Sequence, residues 1–164
     1  MARPFSRRDD RVELRFSANE IALLRDLTSD LVTRLGEVSD AEPVADASLR
    51  RLFPDGYNDD PAAAAELRSL IQDDLRDGKL ASARTVLETL AELPPSGRRL
   101  LDPDQAKCFV GTLNDMRLAW GTALDVTEEF DLGTPTGDEA VDSALELYAY
   151  LGWMQECLVD SLID

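Results

Sequence analysis

The chain has 164 residues, with 17 basic and 33 acidic side chains, a net charge of −16, two cysteines and no histidine. That length suits one domain with its own core and is short for two. Without histidine, Ser-His-Asp and Cys-His mechanisms and the Glu-x-x-His di-iron site are excluded, and two cysteines cannot make a disulfide scaffold.

Hydrophobic residues at 44% and charged residues at 30% are ordinary for a globular chain. No apolar run nears the ~20 residues that span a bilayer. The first residues, MARPFSRRDD, hold arginines but no apolar segment, so they do not read as a secretory leader, and a cytoplasmic location is expected. The acidic balance opposes direct DNA binding, because affinity for a duplex comes largely from Lys and Arg on phosphates. Arg3, Arg7, Arg8, Arg11 and Arg15 do crowd the N-terminus, but Asp9, Asp10 and Glu13 dilute them, so they read as a solvated edge. An acidic chain can still draw in a basic protein partner.

Residues 4–16 alternate apolar and polar side chains at Val12, Leu14 and Phe16, which predicts a small β-hairpin with Asp9-Asp10 at its tip. Ser17 and Glu20 form a capping box. The helix it starts should run to about Leu35 and stop at Gly36, burying Ile21, Leu24, Leu27 or Thr28, Leu31 and Leu35. Residues 37–46 are polar and contain Pro43, so they read as a loop. A short helix over Asp46–Pro54 and a turn-rich link, DGYNDD at 55–60, should follow. Asp60-Pro61 is a cap with proline at the first helical position. It predicts one helix to near Gly78, with Leu67, Leu70, Ile71 and Leu75 inward. A second should run from about Lys79 to Leu93, with Leu80, Ala83, Val86, Leu87 and Leu90 inward. Pro94-Pro95-Ser96-Gly97 stops it.

Asp102-Pro103 repeats the cap-plus-proline device. The stretch Asp102–Asp131 reads as one long helix, and Asp138–Leu162 as another, with GTPTG at 133–137 as the turn between. The expected fold is therefore mostly α. It is a single-domain bundle of five to six helices spanning residues 1–164, with a long antiparallel C-terminal hairpin.

Cys108 and Cys157 lie almost equally far from that turn. In an antiparallel hairpin rising ~1.5 Å per residue they would sit at one height. Whether they face one another depends on rotation, which spacing does not fix. A facing pair would be a reversible thiol switch, whereas otherwise both are small apolar core side chains. Trp120, Met116, Leu113, Phe109 and Leu124 share one face of the first long helix, and Leu147, Leu151, Met154 and Leu158 share one face of the second. Core packing is the expected use of both faces. Tyr148, Tyr150 and Trp153 make the last helix apolar nearly all round, so it is either central or part of a homodimer interface. Asn114, Asp115 and Arg117 interrupt an apolar run. They read as a buried hydrogen-bonded network that fixes helix register, with Arg117 paired to a carboxylate, or less simply as a ligand site. The acidic pairs Asp59-Asp60, Asp73-Asp74 and Glu128-Glu129 diverge by about 100° on a helix and read as solvated faces. Arg50-Arg51 and Arg98-Arg99 read likewise. No phosphate-loop, Walker or zinc spacing occurs. No metal, no cofactor and no catalytic residue is expected.

Three stretches carry a resemblance together: Leu52-Phe53-Pro54-Asp55-Gly56-Tyr57 with Asp59-Asp60; LNDMRLAWG at 113–121; and WMQECLV at 153–159. In order and spacing they resemble the actinomycete oxidative stress regulator (AosR-type) family, an actinobacterial family long catalogued as a domain of unknown function. The resemblance covers nearly the whole chain and makes Asn114, Asp115, Arg117, Trp120, Trp153 and Gln155 signature positions. It implies a non-enzymatic transcriptional regulator or cofactor of the oxidative stress response, acting by contact with a sigma factor or RNA polymerase subunit. It also hints at a link to Clp proteolysis, and a structural or adaptor module without redox sensing is the alternative. The family's redox mechanism invokes a Cys-x-x-x-Cys pair. Here Thr112 stands four residues after Cys108, and Ser161 four after Cys157. Sensing would then use the cross-hairpin pair or an intermolecular bond, or has been lost.

Overall fold

The computed structural model describes residues 2–39, 43–54 and 59–163. Within them the order is β1 (Phe5–Arg8), β2 (Arg11–Arg15), α1 (Ala18–Gly36), a 3-10 helix (Ala47–Leu52), α2 (Pro61–Ala91), β3 (Arg98–Leu101), α3 (Pro103–Ala123) and α4 (Glu139–Ile163). The fold is mostly helical, as expected. Part of the 37–46 loop and the 55–58 stretch of the Leu52–Tyr57 motif lie outside the described residues.

The N-terminal hairpin forms with Asp9 at its tip in a left-handed conformation (φ 55°), which aspartate tolerates better than most residues. It is not alone. β3 adds to β2 antiparallel, giving a three-stranded sheet in the order β1-β2-β3. Gly97 makes this extension fit. Its φ is +66°, and a Cβ there would stand 2.0 Å from the Phe16 carbonyl oxygen. The Phe16 N–H donates to the Gly97 carbonyl at 2.9 Å. Sequence alone assigns no element to 98–101 and reads Arg98-Arg99 as a solvated face, because only four residues, RRLL, carry the strand.

Phe5, Val12, Leu14 and Leu101 point from the sheet into the core. Phe5 meets Phe16 and Phe109 edge-on, with ring centroids 5.4 and 5.9 Å apart. This cluster seats the sheet on α3. α3 also touches α2, α4, α1 and the 3-10 helix, so it is the centre of the molecule.

The Ser17–Glu20 capping box is present, with both reciprocal bonds formed. Two helix boundaries differ from the expectation. α2 runs unbroken through Gly78 as one helix of 31 residues. A mid-helix glycine costs only about 1 kcal/mol, and packing on α1 and α3 outweighs it. α3 stops at Ala123 rather than continuing to Asp131. The Val126 N–H donates back to the Gly121 carbonyl at 2.8 Å, and Asp125 takes a left-handed φ of 57°. That closure ends the helix and uses its last carbonyls.

The first half of α2 is also rotated from the expected face. Leu70, Ile71 and Leu75 are exposed by 68%, 45% and 38%. Leu67 is half-buried, and Gln72 and Ala64 point inward instead. The cause is hydrogen bonding to the end of α1. Gln72 donates to the Ser39 carbonyl, and Arg76 donates to the Val38 carbonyl at 2.9 Å. Satisfying these backbone oxygens turns the polar side of α2 inward and the leucines out.

The two glycines predict opposite outcomes on substitution. Gly78→Ala, in open space within a helix, should stabilise the protein by about 0.5–1 kcal/mol. Gly97→Ala should destabilise it by at least about 2 kcal/mol, from the positive φ and the backbone clash. Urea denaturation of both variants checks this.

Candidate functional site

Asn114, Asp115 and Arg117, which interrupt α3, each meet a partner on a neighbouring helix, but the partners lie on two sides. On the first side, Asp115 is 4% exposed and accepts from Lys79 of α2 at 2.8 Å. Burial pushes the Asp115 carboxyl above its ordinary range, and the Lys79 bond and charge only partly offset this. An open groove of about 320 Å³ lies over the pair, bordered by Gly78, Ser82, Gly111 and Asn114.

Half a turn around α3 is the seam with α4. Arg117 donates to the Gln155 side-chain carbonyl at 2.7 Å, and Gln155 donates to Asn114 at 3.4 Å. The Arg117 guanidinium lies 5.6 Å from the Tyr148 ring centroid, within cation–π range. It also passes beside Gly152, where a Cβ would meet its Nε at 3.4 Å. Gly121 lets Tyr148 approach in the same way, since a Cβ there would stand 3.1 Å from the ring. The expected partner of Arg117 was a carboxylate. Its partner is instead the neutral Gln155, because Asp115 points roughly 160° away around the helix, toward α2. The expected register network is therefore two networks, one for each neighbour.

The seam contacts also fix the relation of the two cysteines. Gln155 is level with Asn114 and Arg117, and Tyr148 is level with Gly121. Cys157 is then level with the 112–115 stretch and not with Cys108. The offset is roughly 6–10 Å along the axis at about 1.5 Å per residue. Rotation separates them too. Cys108 lies two turns before Asp115, on the α2 side, and Cys157 lies roughly half a turn around α4 from the seam residues. Both thiols are free, with Cys108 half-buried and Cys157 buried. The equal-height expectation fails because α3 ends early and the long connection at 124–138 need not be symmetrical. Burial also pushes the Cys157 thiol up, away from the thiolate that reacts with oxidants; Arg3 opposes this, and Asp160 and Glu156 add to it.

The two tryptophans serve packing. Trp120 lies half-buried against the core cluster, and the Trp153 ring tilts against Tyr150 with centroids 5.8 Å apart. One contact gave no sequence signal beyond its capping box. Tyr150 of α4 donates its hydroxyl to Glu20 of α1. Burial pushes the Glu20 carboxyl up, but the bonds from Tyr150 and Ser17 outweigh it and hold it below its ordinary range. Burial and the Glu20 bond push the Tyr150 hydroxyl up. Among the described residues no cluster of three or more His, Cys, Asp or Glu is placed to hold a metal ion, and no helix is long and apolar enough to cross a membrane.

The family described as a domain of unknown function (DUF2017) matches residues 2–162. The chain belongs to that family. A Mycobacterium leprae (strain TN) protein, provisionally named oxidative stress regulator AosR, is 30% identical over 175 aligned positions, covering 88% of this chain and 79% of the relative. No solved structure matches the chain. Asn114, Asp115, Arg117 and Gln155 hold α3 to its neighbours on both flanks, while Trp120 packs against the core and Trp153 against Tyr150.

Two outcomes follow. Lys79→Met leaves Asp115 buried without its counter-charge and should cost roughly 3 kcal/mol at pH 7. A carboxyl with a raised folded pKa favours folding below its unfolded pKa and loses that contribution as pH rises through the folded value. The cost should therefore shrink as pH falls and Asp115 takes up a proton. Urea denaturation at neutral and acidic pH reads both, and an equal loss at the two would contradict the account. Second, peroxide treatment followed by non-reducing mass mapping should show no Cys108–Cys157 link within the folded monomer. Appearance of that link would contradict the placement of the two helices.

Proposed function

We propose that this protein is a non-enzymatic transcriptional regulator or cofactor in the oxidative stress response. It works in the cytoplasm by contact with a sigma factor or RNA polymerase subunit. The oxidative stress assignment rests on the name of the mycobacterial relative. The contact assignment rests on one observation, the outward apolar stripe on α2.

Leu67, Leu70, Ile71 and Leu75 recur at helical spacing along this stripe, and Phe53 and Pro54 flank it to form a shallow groove. Single exposed leucines are common, but a contiguous row bordered by polar residues marks a contact surface. Helical spacing puts exposed Glu66, Asp74 and Asp77 along one edge of the stripe, and Arg68 lines the groove on the other. An apolar row with one acidic edge fits the apolar face of a basic amphipathic helix, which is the chemistry of a helix-in-groove partner.

Co-purification with a sigma factor or polymerase subunit, weakening as salt rises, is the expected behaviour. Ile71→Asp with Leu75→Asp should lower that affinity at least about tenfold while changing stability by only about 0.5 kcal/mol, as for other exposed sites. Binding unchanged in the double variant would overturn the reading. A dimer mass in light scattering, lost in the same variant, would assign the stripe to a second copy.

A second reading is favoured by the separation of the cysteines. In it the protein is an adaptor or structural module linked to Clp proteolysis and indifferent to oxidant. Equal partner binding before and after mild peroxide supports this reading. Binding that changes, and that Cys108→Ser abolishes the change of, supports the first.

A further inference from the structure

The outer face of the sheet opposes the charge of the whole molecule. Residues directly opposite on neighbouring strands share a face. The registers Arg8↔Arg11, Glu13↔Leu100 and Arg15↔Arg98 therefore place four arginines on the solvent side with one glutamate. This occurs in a chain of net charge −16.

The carboxylates nearest this face are already engaged. Glu13 pairs with Arg8 at 3.0 Å, and Glu92 pairs with Arg99 at 2.9 Å. Glu20 accepts from Ser17 and Tyr150. Asp9 and Asp10 lie at the hairpin tip, next to the Arg8–Arg11 end. The far end holds Arg15 and Arg98, both exposed and with no ion pair among the described residues. Like charges directly opposite on adjacent strands destabilise a sheet. A chain with 33 acidic residues leaves this repulsion in place. Stability given up at one surface position is a mark of a site kept for something else.

Two further features surround the pair. Leu100, half exposed, stands on the same face two residues along β3 from Arg98 and directly opposite Glu13. An open groove of about 630 Å³ is lined by Arg15, Ser96, Asn19 and Tyr150, with the Glu20 carboxylate, already bonded to Ser17 and Tyr150, on its wall.

We propose that this arginine face is a docking surface for an extended acidic segment of a partner protein, with carboxylates on Arg15 and Arg98 and an apolar side chain on Leu100. Arginine forks suit carboxylates in bidentate geometry. Nucleic acid fits less well. Among the described residues the sheet face itself carries no aromatic side chain on which a base would stack, and Tyr150 in the groove is engaged by Glu20 and Trp153; a duplex is also broad enough to meet the acidic remainder of the surface. The proposal is independent of the α2 stripe, whose partner is basic. Together the two surfaces would let the protein bridge partners of opposite charge.

Fluorescence anisotropy of the full chain tests this. The probe is a fluorescein-labelled peptide of alternating glutamate and alanine with one central leucine. A single-stranded DNA oligonucleotide of matched charge is the second probe. The peptide should bind, and its affinity should fall as salt rises. Arg15→Glu/Arg98→Glu should lower that affinity at least about tenfold. Arg15→Gln/Arg98→Gln should lower it similarly without adding carboxylates. Arg98→Glu alone should weaken binding while raising Tm by about 1–3 °C, because it replaces a like-charge pair by an ion pair. Peptide binding that is absent, or unchanged in these variants, overturns the proposal. Tighter binding of the oligonucleotide than of the peptide overturns it in favour of a nucleic-acid surface.

Discussion

A helix packed among several neighbours must be mostly apolar or find partners for the charged groups it carries. α3 does the second for Asp115 and Arg117, while the buried Thr112 hydroxyl is left without a hydrogen-bond partner among the described residues. Its apolar residues, Phe109, Leu113 and Met116, sit in the core beside the sheet. Asp115 takes its counter-charge from α2, and Arg117 takes its acceptor from α4. A buried polar group left unpaired costs about 1–3 kcal/mol, and a charge costs more. α2 and α4 are therefore held at particular heights and rotations against α3. The order of Asn114, Asp115 and Arg117 along the helix decides which neighbour each one serves.

The same constraint bears on function. Fixing α4 through Gln155 and Tyr148 separates Cys157 from Cys108, so a link between them needs repacking of the seam. Fixing α2 through Lys79, Gln72 and Arg76 turns its first leucines outward. The apolar stripe is thus a consequence of satisfying polar groups elsewhere. The surfaces left over are chemically distinct, an apolar row with one acidic edge on α2 and an arginine face on the sheet.

Much of this was legible in the sequence. The Ser17–Glu20 capping box, the cap-plus-proline starts at Asp60 and Asp102 and the hairpin tip are local devices, and each forms where its residues stand. The core stripe of α1 and the face formed by Phe109, Leu113 and Met116 follow from spacing. The misses are mostly non-local, the early end of α3 at the Val126–Gly121 closure being the local one. β3 is four residues that become a strand only because β2 lies beside them. Gly78 looks like a stop until packing on α1 and α3 carries the helix through it. The inward face of α2 is decided by backbone carbonyls at Val38 and Ser39, about a turn past the end of another helix, and no periodicity within α2 reports them. The partner of Arg117 required the register of α4, which counting from the connecting turn misplaces when the turn is long. The Glu20–Tyr150 bond joins residues at opposite ends of the chain. The polar interruption of α3 by Asn114, Asp115 and Arg117 stands out in the sequence, but its division between two networks does not.

If α3 is the element on which the rest is assembled, its opening must coincide with global unfolding. Native-state hydrogen exchange at individual amides measures this directly. The account predicts that amides between Phe109 and Ala119 exchange only at the global free energy, while those between Ala65 and Leu75, beside exposed side chains, exchange through smaller local openings. Exchange of the α3 amides at lower free energy than those of α2 would contradict it.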